Sequence, residues 1–265
     1  MTLGDSNARC EAYEILNGAG RGEALILCEH ASHHIPRRYG DLGLAGGLTG
    51  ADRQSHAAWD PGARAVSRAL SAALDAPLIA ARVSRLVYDC NRPPEAVSAM
   101  PAKSELIEIP GNANLSDDDR EERVHTIYRP FCDAVSRLIA DRKAEGLATA
   151  LITMHSFTPV YYGTHRPVEI GILHDSDSRL ADAMLAQASA LPHRRIERNE
   201  PYGPQDGVTH SLQLHGVKNA MPNVMIEVRN DLLRTPKEEA TMADELLTLL
   251  RPALASLPHK GGARA

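Results

Sequence analysis

The chain reads as a single α/β domain: a mixed, mainly parallel central sheet with helices on both faces. Three observations predict it. Residues 24–28, 150–154 and 224–226 are short apolar runs of strand length, bounded by turn residues. They alternate with longer stretches at helical spacing, the order that gives a parallel sheet covered by helices. Each run also ends in polar residues: Glu29-His30, His155, and Glu227-Val228-Arg229. Ligands collect at the carboxyl edge of such sheets. Two imidazoles and a carboxylate are therefore expected to meet there, which is the material of a metal-hydrolase site.

At 265 residues the chain can bury a sizeable core, and no linker or repeat divides residues 1–265. Residues 1–22 are expected as a peripheral arm and 258–265 as a disordered tail. The composition is 43% hydrophobic and 24% charged with a formal charge of −5, which offers no footprint for nucleic acid or an anionic membrane. No apolar stretch approaches membrane-spanning length and no leader pattern opens the chain, so a cytoplasmic protein without membrane partners is expected. Oligomeric state is not legible. Cys10, Cys28, Cys90 and Cys132 are scattered, with no paired spacing for a disulfide framework or a zinc knuckle.

In order, the first strand is 24–28 and residues 40–50 form a loop. Asp60-Pro61 reads as N-cap and first residue of a helix. Its expected packing face combines Ala65, Ala69, Ala72 and Ala73 with Val66, Leu70 and Leu74. Residues 77–83 form a strand, and 86–88 a third strand or an extension of it. Residues 93–115 are rich in Pro, Gly, Asn and Ser, and a loop of that length in a compact domain points to function. Ser116 caps a long helix running to about Lys143, with Val124, Ile127, Phe131, Val135 and Leu138 at helical spacing. After the 150–154 strand come a strand at 168–173, a helix at 178–190, a short strand at 195–197 and a helix at 209–217. The last strand is 224–228 and the closing helix 236–257.

Glu29-His30-Ala31-Ser32-His33-His34 packs three imidazoles and a carboxylate into six residues at a turn. His30 is the first candidate metal ligand, and His33 a second. His155 ends a buried strand without a packing reason to be there. Asp60, four residues after His56, is either a helix cap or a ligand. Glu227 closes an apolar strand and is either a general base or the ion-pair partner of Arg229. Arg85, Arg92, Arg166 and Arg229 lie at strand ends or in loops, and guanidinium forks there suit a small acidic substrate. His165, His174, His210 and His215 are possible pocket residues, whereas His125 falls on a helix surface.

Several stretches resemble the N-formylglutamate amidohydrolase family: residues 28–32 (Cys28-Glu29-His30), 59–63 (Trp59-Asp60-Pro61) and 84–94 (Ser84 to Pro94). Residues 155–159, 199–202 and 226–231 extend the match in the same order. The resemblance implies hydrolysis of a small N-formyl or N-acyl amino acid, typically N-formylglutamate to formate and glutamate. A fainter similarity to zinc carboxypeptidases and aspartoacylases implies their phosphorylase/hydrolase-like fold and a Zn²⁺ cofactor. It also implies His155 as a ligand, Asn91 and Arg92 as a carboxylate clamp, and Glu227 as the base. The first carboxypeptidase motif is His-x-x-Glu, and here His33 holds the fourth position. The third ligand is accordingly open among His33, Asp60 and Glu29. Two rivals remain: a metal-free hydrolase using Cys28 or Cys90 as nucleophile, and a non-catalytic binding protein for an acidic metabolite.

Overall fold

The computed structural model describes residues 10–44 and 50–258. Residues 1–9 of the expected N-terminal arm, part of the 40–50 loop and nearly all of the expected tail lie outside the described residues. Seven strands form one sheet: β1 (Tyr13–Leu16), β2 (Ala24–Cys28), β3 (Leu78–Ala81), β4 (Ala150–Phe157), β5 (Ile170–Leu173), β6 (Ile196–Arg198) and β7 (Asn223–Arg229). Their spatial order is β1-β3-β2-β4-β7-β5-β6. β3, β2, β4 and β7 run parallel to one another. β1 is antiparallel to β3 at one edge, and β5 is antiparallel to β7 near the other.

The five main helical segments are α1 (Ala63–Ala73), α2 (Asp117–Arg123), α3 (Arg129–Ala144), α4 (Arg179–Leu185) and α5 (Pro236–Ser256). Strand residues alternate between two cores. Ile26, Ile152 and Ile226 point to one, shared with Val66, Leu180 and Leu246 of α1, α4 and α5. Leu25, Leu151 and Met225 point to the other, shared with Phe131 and Val135 of α3. Burial on both faces explains why the central strands read as unbroken apolar runs. No helix among the described residues is long and apolar enough to cross a membrane.

Several expectations are corrected. β4 extends three residues past Met154, so His155 lies inside the strand and not after it. Residues 86–88 are not a strand. The Ser84 hydroxyl accepts from the Leu86 N–H at 3.2 Å and the Ser84 carbonyl from the Val87 N–H at 2.9 Å, closing a turn. Leu86 and Val87 are buried by packing, not by pairing. Asp60 does not cap α1: the cap residue is Gly62, left-handed at φ 80°. The buried face of α1 is Ala63, Val66, Ser67 and Leu70, while Ala72 and Ala73 are exposed.

The long helix begins as expected, with Ser116 and Asp119 capping each other. Pro130 then has no N–H to donate, and the chain passes it through a π turn, Val124–Tyr128.

Gly62 places Asp60 at the sheet edge. A Cβ built there would lie 2.4 Å from the Cβ of Leu233, in a backbone conformation that side chains disfavour. Gly62→Ala is expected to cost about 1–3 kcal/mol, read as a Tm lowered by several degrees. A melting curve superimposable on wild type would contradict this account of the turn.

Candidate metal centre

Three donor atoms from three separate places meet above the carboxyl edge. His30 follows β2, and its carbonyl accepts from the Asp60 N–H at 2.9 Å, which holds the two segments together. His155, in β4, is the register partner of Glu227 in β7. His30 Nδ1 and His155 Nδ1 are 3.2 Å apart, and Asp60 Oδ2 lies 3.2 Å from the first and 3.0 Å from the second. Donors bound tetrahedrally to zinc at about 2.0–2.1 Å stand roughly 3.3 Å from each other, so the triangle has the size of a ligand face. These three residues form the buried group, among the described residues, that could hold a metal ion.

The outer ring nitrogens are also engaged. His30 Nε2 lies 2.7 Å from Asp89 Oδ1, and His155 Nε2 lies 3.3 Å from Glu29 Oε2. The second contact is electrostatic, not a well-directed hydrogen bond, since neither atom finds an aligned partner. A carboxylate behind each imidazole fixes its orientation and turns Nδ1 toward the common centre, as metal-binding histidines require. The Ser156 N–H donates to Asp60 Oδ2 at 3.3 Å. Arg85 Nη1 stands 3.1 Å from Asp60 Oδ1, and Nε donates to the Ala57 carbonyl at 3.0 Å.

Charge balance points the same way. Glu29 and Asp60 are each 1% exposed and Asp89 8%. Burial alone would raise all three carboxyls. At Glu29 the His155 charge, with His30 and nearby hydrogen bonds, together outweighs it; Arg85 and His30 hold Asp60 well below the usual range, and His30 and Arg92 lower Asp89. Burial works against protonated His30 and His155, yet Asp89 raises the first and Glu29 raises the second well above the ordinary value. His56 goes the other way, lowered to about 3 by burial and by Arg85. Among the described residues, three buried anions thus face two permanent cations, Arg85 at Asp60 and Arg92 near Asp89. The remaining positive charge comes from protons on the imidazoles or from a bound cation. The donor set therefore fits a divalent metal.

Beside the triangle is a cavity of about 370 Å³, lined by Arg92, Tyr161, Tyr202 and Glu227 as well as the three donors. Glu105 and Ser98 line it too, so the 93–115 loop forms part of its wall. Glu227 is 6% exposed and its Oε2 has no partner. Burial raises its carboxyl to about 7. The pair with Arg229 is not formed: Arg229 binds Asp231 at 2.7 Å and sits 3.8 Å from Glu169.

Other candidates are distributed as follows. His33 packs edge-on against Trp59, ring centroids 4.9 Å apart, outside the donor triangle. Asn91 spends its amide on the Val208 carbonyl (2.6 Å) and the Ser211 N–H (2.9 Å), so it pins the 208–211 segment. Arg92 lines the cavity with Nη1 on the Asn91 carbonyl. Arg166 lies behind the wall and donates to the Tyr202 hydroxyl, and Arg229 is not a lining residue. His210 bonds Tyr128 and His174 bonds Arg198. The thiols of Cys28 and Cys90 are buried, raised by that burial, and absent from the cavity wall, which removes the basis for a cysteine nucleophile. Asp89 and Tyr202 carried no sequence signal of their own beyond lying in the family-like stretches.

If the triangle is the metal site, Asp60→Ala and His155→Ala each lose stoichiometric Zn²⁺ while His33→Ala keeps it, by elemental analysis of purified protein. Affinity should fall as pH is lowered, because protons compete for both imidazoles. Full metal retention in Asp60→Ala would move the third ligand elsewhere.

A family model described as N-formylglutamate amidohydrolase matches residues 22–234. Among solved structures, a gene product from Agrobacterium tumefaciens is 54% identical with a TM-score of 0.89, over 93% of this chain and 96% of that one. The N-formylglutamate amidohydrolase from Ralstonia eutropha JMP134 is 17% identical with a TM-score of 0.59, over 92% and 97%. At that identity the likeness is one of fold. No curated protein sequence matches. Since the family model spans well over half of the chain, the chain belongs to the N-formylglutamate amidohydrolase family.

Proposed function

We propose that the protein hydrolyses the amide of a small N-formyl or N-acyl amino acid, N-formylglutamate being the expected substrate, with zinc held by His30, Asp60 and His155. The supporting observation is the donor triangle opening beside the unpartnered Glu227 carboxylate in one cavity. Two imidazoles and a carboxylate suit zinc among the common divalent ions. When bound, the ion supplies Lewis acidity to the carbonyl and lowers the pKa of a water.

The chain's own residues do the rest. Glu227 takes the proton of the attacking water and returns it to the departing amine. A carboxyl raised to about 7 can do both near neutral pH. Asp89 and Glu29 keep the two imidazoles oriented. Arg92 meets a carboxylate of the substrate, and Arg85, which also lines the cavity, holds Asp60. A binding protein without turnover would keep the same cavity, and formate release separates the two.

Formate release from a panel of N-formyl amino acids tests the reading: activity should be lost on exhaustive chelation and return with Zn²⁺. Full turnover by metal-free protein would sink it. Arg92→Lys keeps the charge but loses the fork, so kcat/KM for an acidic substrate should fall roughly ten- to hundredfold through KM.

Glu227→Gln should lower kcat by about 10²–10⁴-fold with bound metal unchanged. In metal-free protein the same change acts on stability with a definite sign. The folded carboxyl titrates near 7 against 4.5 for the model group. Folding therefore favours the protonated form, and stability falls as pH rises from about 4.5 to 7. Removing the charge should stabilise the protein at pH 8 by on the order of 1–3 kcal/mol and change little at pH 4. A lowered Tm at pH 8 would mean that Glu227 has an ion-pair partner after all.

A further inference from the structure

The segment after β6 runs back across the sheet. Gly171 is the register partner of Glu227, and a Cβ built on Gly171 would lie 1.9 Å from the Glu200 carbonyl oxygen. The missing side chain lets this segment cross β5 against bare backbone. Two residues past the contact, Tyr202 enters the cavity shared by Glu227, His155 and Asp60. From behind the wall, Arg166 Nη1 donates to the Tyr202 hydroxyl at 2.8 Å. The guanidinium is held against aromatic rings, 4.2 Å from the centre of Tyr161 and 4.8 Å from that of Tyr202.

That hydrogen bond has a direction. Arginine only donates, so the Tyr202 oxygen accepts and its own O–H remains to be given. Among the described residues no acceptor for that O–H is present. Burial and the nearby Glu227 charge raise the phenol to about 12, so it holds its proton at neutral pH. A cation on the phenol oxygen also makes the O–H a stronger donor.

We infer that Tyr202 is a catalytic donor whose hydroxyl, fixed by Arg166, hydrogen-bonds the amide carbonyl oxygen of the substrate as negative charge builds on it. The inference rests on the amidase reading above. No bond is made or broken at Tyr202, and its proton stays on the phenol throughout. Because the interaction strengthens with the developing charge, it belongs to kcat and not to ground-state binding. Arg166 does not touch the substrate; it is a positioning residue that acts through Tyr202.

Steady-state formate release by the zinc-loaded enzyme, with metal content and Tm measured on the same preparations, tests this. Tyr202→Phe keeps the ring and loses only the hydroxyl. Its kcat should fall about 10²–10³-fold, with KM within threefold and zinc and Tm unchanged. Arg166→Met should fall less, and Tyr202→Phe/Arg166→Met should be no slower than Tyr202→Phe alone, since both act through one hydrogen bond. A kcat within threefold of wild type in Tyr202→Phe overturns the inference, as does a loss confined to KM or accompanied by loss of zinc. Additive losses in the double variant overturn the role of Arg166. Wild-type protein that binds zinc yet releases no free amino acid from any N-formyl or N-acyl amino acid overturns the amidase reading itself, and this inference with it.

Discussion

The site is organised by one carboxylate that has been taken out of water. Asp60 carries a charge at 1% exposure, and a buried anion is costly unless several cationic or donating groups converge on it. Here His30, His155, Arg85 and the Ser156 N–H all do. They come from three different stretches of chain, so satisfying Asp60 also fixes the relation of β2, β4 and the 84–85 turn. The backbone prepares this: the His30 carbonyl anchors Asp60 and left-handed Gly62 turns the chain away into α1. A cap residue would have spent its carboxylate on a helix N-terminus. This one is free to face the sheet edge.

The irregular segments above that edge are tied down largely by side chains, with one short strand pair, Lys103–Ser104 with Ile107–Glu108. Asn91 joins the end of the 84–91 turn to residues 208–211. Asn112 donates to the Leu86 and Pro101 carbonyls, and buried Arg123 reaches Asn112 and the Val87 carbonyl. These bonds satisfy the backbone groups that a turn leaves without ladder partners. They also explain how a long loop with only short 3-10 turns and a two-residue strand pair can serve as a cavity wall. Asn91, which also lines the cavity, does part of this holding.

What the sequence revealed follows from this division. The central strands were legible because burial on both faces leaves unbroken apolar runs, and the long helix because Ser116 and the apolar spacing mark it. Residues 86–88 misled because β-forming residues can be buried by packing alone. His155 was expected beyond its strand, since an imidazole in an apolar sheet looks out of place until its partners, Glu29 and Asp60, are known. Asp60 had two readings because Asp-Pro is a common helix opening; only the φ of Gly62 separates them. The bond of Arg85 to Asp60 was illegible for the same reason that Asp89 was passed over. Their partners lie 25 and 59 residues away in the chain, at Asp60 and His30, and no periodicity encodes such a pairing.

The same electrostatics links metal, pH and stability. Without a cation, protonated His30 and His155 are needed to balance Glu29, Asp60 and Asp89, and their raised affinity for protons reflects it. A group raised in the folded state stabilises fully below its unfolded pKa, and that contribution is lost as pH climbs through the folded value. Proton balancing therefore weakens toward alkaline pH. A divalent cation held by His30, Asp60 and His155 would need the opposite, neutral imidazoles, and would bind better as those protons leave. It would also add stability by mass action, since the three donors come together only in the folded chain. The two ways of neutralising the same carboxylates would then exchange with pH, with Arg85 keeping Asp60 paired across the exchange.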